Sequence, residues 1–282
     1  MTTPTPKMQI NGVQRYQAMF DGLKNTGKQT ALIPFTLLGY PNKTLSLDII
    51  KTMIDSGASA LELGLAFSDP MADGPVLQKA SSDVLATGFG VGDAIEQLKA
   101  VRAYDAHIPI GLLVYYNIVL AYGLQAWFET LCAIGVDAVM IVDLPLESLD
   151  EVQTLAEKYN VQLVLMVSPL SNEARIRDIA ARKPAFFYVV SRLGITGAHA
   201  TYDQQLQAML DQIHSVSDIP ACVGFGISKP SDVTGMKALG ADGVIVGSAI
   251  IQTVSQAVAT QSDPLKALQD YLKTLSLACR DE

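Results

Sequence analysis

The sequence predicts an α/β protein of the (β/α)8, or TIM, barrel class, and three observations predict it. Eight short apolar runs recur along the 282 residues, at 31–36, 59–64, 108–115, 136–142, 161–167, 185–191, 219–225 and 243–247. They do not alternate polar with apolar positions, which marks strands buried on both faces, as in a parallel sheet. Between them lie segments with helical spacing, so one strand–loop–helix unit repeats around a ring. No linker-like shift in composition breaks the series, and residues 1–282 are expected to form a single domain of the size such barrels take. A doubly wound open sheet is the weaker alternative, because no GxGxxG follows the first strand.

In chain order, residues 8–24 suit a helix capping the barrel. Helical patterns follow at 43–56, 124–134, 147–159, 172–182, 202–214 and 230–239, with short extra helices besides. Three of the helix-to-strand joints, at 55–58, 133–137 and 238–242, share a glycine that closes the helix immediately before a strand. These joints belong to the N-terminal face of the barrel and read as stability features; functional residues belong at the opposite strand ends. The apolar stretch 108–124 is interrupted by Pro109, Gly111, Asn117 and Gly123. It is too punctuated for a membrane helix and reads as a buried strand followed by an apolar loop, 117–123.

Composition narrows the function. Hydrophobic residues make up 49% and charged residues 17%, which suits a chain rich in core. Twenty basic against 28 acidic residues leave a net charge of −8, with no basic run. That disfavours nucleic acid and anionic membranes as partners. Cys132, Cys222 and Cys279 are far apart and odd in number, as expected of thiols in a reducing compartment rather than of a disulfide framework. The start, MTTPTPKMQING, has no apolar signal-peptide core, so a cytoplasmic location is expected.

The chemistry concentrates in 61–75, LELGLAFSDPMADGP. Glu62 sits among Leu61, Leu63 and Leu65, where desolvation raises a carboxyl pKa unless a partner keeps it ionised. Asp69 and Asp73 follow in a loop punctuated by Pro and Gly, where side chains can be aimed at a ligand. A near-neutral acid beside a more solvated carboxylate can run acid and base chemistry together. Taken alone, Glu62 would more simply be a buried carboxylate paired with Arg or Lys; the two aspartates after it favour catalysis. Asp143 and Tyr188 also lie at strand ends facing the mouth, as substrate contacts or as packing and hydrogen-bonding residues.

Glycine-bearing loops follow the last three strands: 194–197, 224–228 and 247–249. Tight turning would explain any one of them. Together they point to a phosphate held by backbone N–H groups, since 247–248 opens a helical pattern whose N-terminus suits an anion. No lysine lies in a strand core, which argues against a Schiff-base mechanism. His107 and His214 lie away from the mouth and His199 reads as a surface loop residue, so no metal site is expected.

The run 61–75 closely resembles the signature of the tryptophan synthase alpha subunit family. PFTLLGYP, GLLVYYN, VDLP, SRLGITG, GFGIS and GSAI extend the resemblance over nearly the whole chain. It implies a retro-aldol lyase that splits indole-3-glycerol phosphate into indole and glyceraldehyde 3-phosphate. It implies Glu62 as general acid/base and Asp73 as the acceptor of the indole N–H, which stabilises positive charge on the ring. Phe35, Leu113 and Tyr115 would line the indole slot, Tyr188 would support the glycerol portion, and Gly197, Gly226, Gly247 and Ser248 would bind phosphate. The resemblance also implies a beta-subunit partner in an alpha2-beta2 heterotetramer. Pyridoxal phosphate would be carried only by that partner, with no cofactor in this chain. Asp69 and Asn117, with the loop 117–123, would face the partner, while 71–78 and 194–201 would act as lids. Ala66 and Leu37 depart from the family's commoner proline and threonine, the second bearing on how Asp73 is oriented. A stand-alone lyase, another phosphate-barrel isomerase or epimerase, and a non-catalytic scaffold are the alternatives.

Overall fold

The computed structural model describes residues 12–25, 30–190, 199–224 and 226–280. Its strands are β1 (Ala31–Leu37), β2 (Leu61–Gly64), β3 (Ile110–Val114), β4 (Ala138–Ile141), β5 (Gln162–Leu163), β6 (Leu165–Val167), β7 (Phe187–Val189), β8 (Ala221–Val223) and β9 (Gly243–Val246). The helices are α1 (Gly12–Asn25), α2 (Lys43–Asp55), α3 (Pro75–Ala86), α4 (Val91–Tyr104), α5 (Tyr116–Tyr122) and α6 (Leu124–Ile134). They continue with α7 (Asp150–Lys158), α8 (Glu173–Ala181), α9 (His199–Val216), α10 (Pro230–Ala238), α11 (Ser248–Ala259) and α12 (Pro264–Ala278).

Every strand pairing is parallel, in the order β5-β4-β3-β2-β1-β9-β8-β7-β6. The run expected as one strand at 161–167 is divided at Val164. Its first part, β5, pairs with β4, and its second, β6, pairs with β7. The same run therefore joins both ends of the sheet and closes an eight-membered ring. Strand positions such as Leu32, Ile33, Leu63, Leu112, Val139 and Val244 are at most 1% exposed. Each such side chain contributes about 1.5–3 kcal/mol through removal from water.

One end of the ring is sealed by α1. Tyr16, 2% exposed, packs its ring against Phe186 at 5.6 Å between centroids, with its hydroxyl against Gly111. Arg15, one residue earlier on α1, reaches the same seal through Asp137. The glycine joints lie at this end, with φ of 95° at Gly57, 85° at Gly135 and 87° at Gly240. These left-handed turns let the chain drop from helix straight into strand.

Two expectations change. The stretch 117–123 is not a loop: α5 runs through Tyr122 and ends where Gly123 turns to φ 96°. No residue between Tyr116 and Tyr122 breaks a helix, and Asp143 accepts the Tyr116 N–H at 2.7 Å, satisfying one of its orphan donors. Of the expected lid at 71–78, only 71–74 is irregular, because Pro75 sets the first turn of α3.

Candidate active site

Strand alternation turns Phe35, Glu62 and Leu113 toward the barrel axis, where they line a cavity of about 300 Å³ at the C-terminal end of the sheet. Glu62 stands level with Phe35 on β1 and Gly111 on β3. It is 4% exposed, and among the described residues its Oε2 has no hydrogen-bond partner. Desolvation alone pushes the carboxyl up to about 8. At neutral pH it therefore holds a proton and can donate it into the cavity.

Asp73 enters the same cavity from the loop after β2 and is half-buried. Burial raises its carboxyl; the Tyr115 hydroxyl, donating to Oδ2 at 3.3 Å, works in the other direction. That hydroxyl also accepts the Ala72 N–H at 3.1 Å, and the Tyr115 ring stacks on Phe67 at 4.8 Å. Tyr115 was expected in the indole slot. It lies instead behind Asp73, outside the cavity wall, where its hydroxyl orients the carboxylate and its ring steadies the loop.

Tyr188, on β7, lines the opposite wall and donates to the Gly224 carbonyl at 3.2 Å. A Cβ at Gly224 would fall 2.2 Å from the Tyr188 ring, so only glycine leaves room for this tyrosine. Gly226, Gly247 and Ser248 line the same cavity. Gly247 precedes α11 with no side chain capping it; its carbonyl takes the Ile250 N–H at 2.9 Å, which leaves the Ser248 and Ala249 N–H groups and the positive end of the helix dipole for an anion. Gly197 lies outside the described residues, as does most of the expected lid 194–201.

Sequence reasoning missed other parts of the wall. Met140 and Met166 both line the cavity, and Met166 is 39% exposed although it belongs to a strand. Ser228 and Gln252 line it as well. Reading the inward register of β4 and β6 would have found the two methionines; nothing local marks Gln252. Leu37 does not line the cavity. It packs over Gly64, so its departure from the family pattern bears on the barrel wall rather than on Asp73.

The expected partner-facing residues lie apart from this cavity. Asp69 is exposed beside Ser68, whose hydroxyl donates to it. Asn117 borders a separate apolar hollow of about 350 Å³ with Phe67, Ile118 and Tyr122. Asp143 serves the start of α5, as above. His214 bonds Asp242 at 3.1 Å, and among the described residues no three His, Cys, Asp or Glu side chains are grouped to hold a metal. No helix among the described residues is long and apolar enough to cross a membrane.

A closed parallel barrel, a buried acid unpartnered among the described residues beside a second carboxyl, and an uncapped helix start in one cavity fit the class of acid/base barrel enzymes acting on phosphorylated substrates. The comparisons with known proteins narrow that class. Residues 20–279 match the family described as Tryptophan synthase alpha chain. The tryptophan synthase alpha chain of Helicobacter pylori strain HPAG1 is 38% identical over 258 residues, spanning 92% of this chain and 98% of that one. That of Yersinia enterocolitica is 37% identical over 270 residues, 95% of this chain and all of that one. The solved alpha subunit from Legionella pneumophila superposes with a TM-score of 0.86 at 30% identity, covering 94% of this chain and 98% of that one. The chain belongs to the tryptophan synthase alpha chain family, lyases that cleave indole-3-glycerol phosphate to indole and glyceraldehyde 3-phosphate in tryptophan biosynthesis.

Proposed function

We propose that Glu62 and Asp73 carry out the cleavage as an acid/base pair. Protonated Glu62 gives its proton to C3 of the indole ring, and the positive charge so formed spreads to the ring nitrogen. Asp73 accepts the ring N–H and stabilises that charge. The Glu62 carboxylate then takes the proton from the hydroxyl on the carbon joined to C3. The electron pair of the breaking C–C bond returns to the ring, indole leaves, and the carbon that bore the hydroxyl becomes the aldehyde. One proton has moved from Glu62 to C3 and another from the hydroxyl to Glu62, so the acid is regenerated.

Phe35 and Leu113 would flank the ring, and Tyr188 the glycerol portion. Gly226, Gly247 and Ser248, with Gly197, would receive the phosphate at the start of α11. The observation that carries the reading is the Glu62 carboxyl, buried with its Oε2 unpartnered among the described residues at a cavity it shares with Asp73.

The same reading makes residues 1–282 one domain and places the protein in the cytoplasm. It couples the chain to a beta subunit in an alpha2-beta2 heterotetramer, with Asp69 and Asn117 on the partner-facing side and pyridoxal phosphate in the beta subunit alone. Incubating the pure chain with indole-3-glycerol phosphate, with and without a beta subunit, tests it. Indole release, enhanced by the partner, is expected. No release under either condition would reject the catalytic assignment, and release indifferent to the partner would leave a stand-alone lyase.

A further inference from the structure

Ser228, on the cavity wall after β8, is gripped from two sides. Its N–H and its hydroxyl both donate to Oδ2 of Asp232, at 2.9 and 3.1 Å, and the Lys229 N–H joins them at 3.0 Å. Its carbonyl accepts from the Tyr271 hydroxyl at 2.9 Å. The Ser228 carbonyl and the Lys229 N–H belong to one planar peptide unit. Tyr271 and Asp232 therefore hold opposite edges of the same plane.

Tyr271 lies 43 residues further along the chain, on α12, and is not among the residues lining the cavity. Its bond draws the Ser228 carbonyl toward α12, a helix that contributes no residue to the cavity lining. A carbonyl oxygen facing a phosphoryl oxygen would repel it, whereas N–H groups attract it. The Ser228 hydroxyl and the Ser228 and Lys229 N–H groups are already committed to Asp232, so the loop serves an anion only through how the backbone before them, at Gly226 and Ile227, is set. The element presenting Tyr271 is firm. Asp263 caps the start of α12 by accepting from the N–H groups of Leu265 and Lys266, and Leu268, Leu272 and Leu275 are at most 1% exposed. Burial, and then the charge of Asp232, pushes the Tyr271 hydroxyl up to about 12, so it keeps the proton it donates.

We propose that Tyr271 is a positioning residue for the phosphate half of the site, holding the loop after β8 in the shape that receives the phosphoryl group from outside the barrel. The inference rests on the reading of Gly226, Gly247 and Ser248 as the phosphate end. Asp232 holds the N–H edge of that plane and Tyr271 the carbonyl edge, so losing the Tyr271 bond leaves the plane with one anchor in place of two.

Tyr271→Phe removes the hydroxyl and keeps the ring. Loss of one hydrogen bond should raise KM for indole-3-glycerol phosphate about two- to tenfold with kcat unchanged. The inhibition constant for inorganic phosphate should rise by the same factor, while binding of phosphate-free indole-3-glycerol stays at the parent value. If the parent is inhibited by phosphate and the variant equally so, the proposal is overturned and the phosphate reading stands. A parent that binds indole-3-glycerol as tightly as its phosphate ester would remove the phosphate reading, and the proposal with it. Equal weakening toward the phosphate-free compound would show a general structural role and also overturn the proposal.

Discussion

Two buried carboxylates, Asp137 at the sealed end of the barrel and Glu62 within it, received opposite surroundings from the same fold. Both are at most 4% exposed. Asp137 accepts from Arg15 at 2.7 Å, from Arg102 at 2.8 Å and from the Ile110 N–H at 2.6 Å. Desolvation pushes its carboxyl above the usual carboxylate range, and Arg102, the Ile110 N–H and Arg15 pull against that rise. Arg102 also donates to the carbonyls of Gly135 and Ile108, so neither charge is left unsatisfied. Glu62 has no such set among the described residues, and holding its proton avoids a bare buried charge. A buried carboxylate with guanidinium partners ties elements together; one without them becomes an acid in reserve.

The sharpest way to break this contrast is Glu62→Gln. The amide matches the shape of the protonated acid but cannot exchange its proton, so indole release should fall about 10²–10⁴-fold in a steady-state assay. Retained turnover would move the acid elsewhere. Asp137→Ala should show the converse. Two guanidinium groups would lose their counter-charge, costing about 3–5 kcal/mol in a denaturant melt, while turnover per folded molecule persists.

The pH dependence separates the two groups further. Glu62 rises from 4.5 in the open chain to about 8 when folded, so the folded state holds the proton more tightly. The stability this lends is full below about pH 4.5 and is lost as pH rises through about 8. Glu62→Gln keeps the neutral form throughout. It should melt with the parent near pH 4.5 and above the parent at pH 9, by an amount on the order of a few kcal/mol. A constant offset across that range would mean that Glu62 does not titrate in it. The smallest expected effect is that of Tyr115→Phe, which removes one hydroxyl behind Asp73. A loss of about two- to tenfold in kcat/KM is expected, and no loss would make the Asp73–Tyr115 bond incidental.

Much of this was readable from residue order. Non-alternating apolar runs gave the strands because both faces are covered, and the glycine joints marked the sealed end because only a left-handed turn fits there. Glu62 stood out because a carboxylate inside a leucine strand must be either paired or protonated. The sequence could not say which, since Arg15 and Arg102 reach Asp137 from 122 and 35 residues away, and nothing local shows that no arginine among the described residues reaches Glu62. The same limit hid Tyr115 behind Asp73 and Tyr271 behind Ser228. Helix α5 was missed because Gly123, read as a loop residue, is the stop that ends a helix.

The most direct test follows the carboxyl stretch of Glu62 by infrared difference spectroscopy, parent minus Glu62→Gln, from pH 5 to 10. A protonated-carboxyl band present at pH 7 and lost with a midpoint near pH 8 is predicted. A carboxylate band already complete at pH 6 would show that Glu62 is ionised and held by a partner, and would contradict the account.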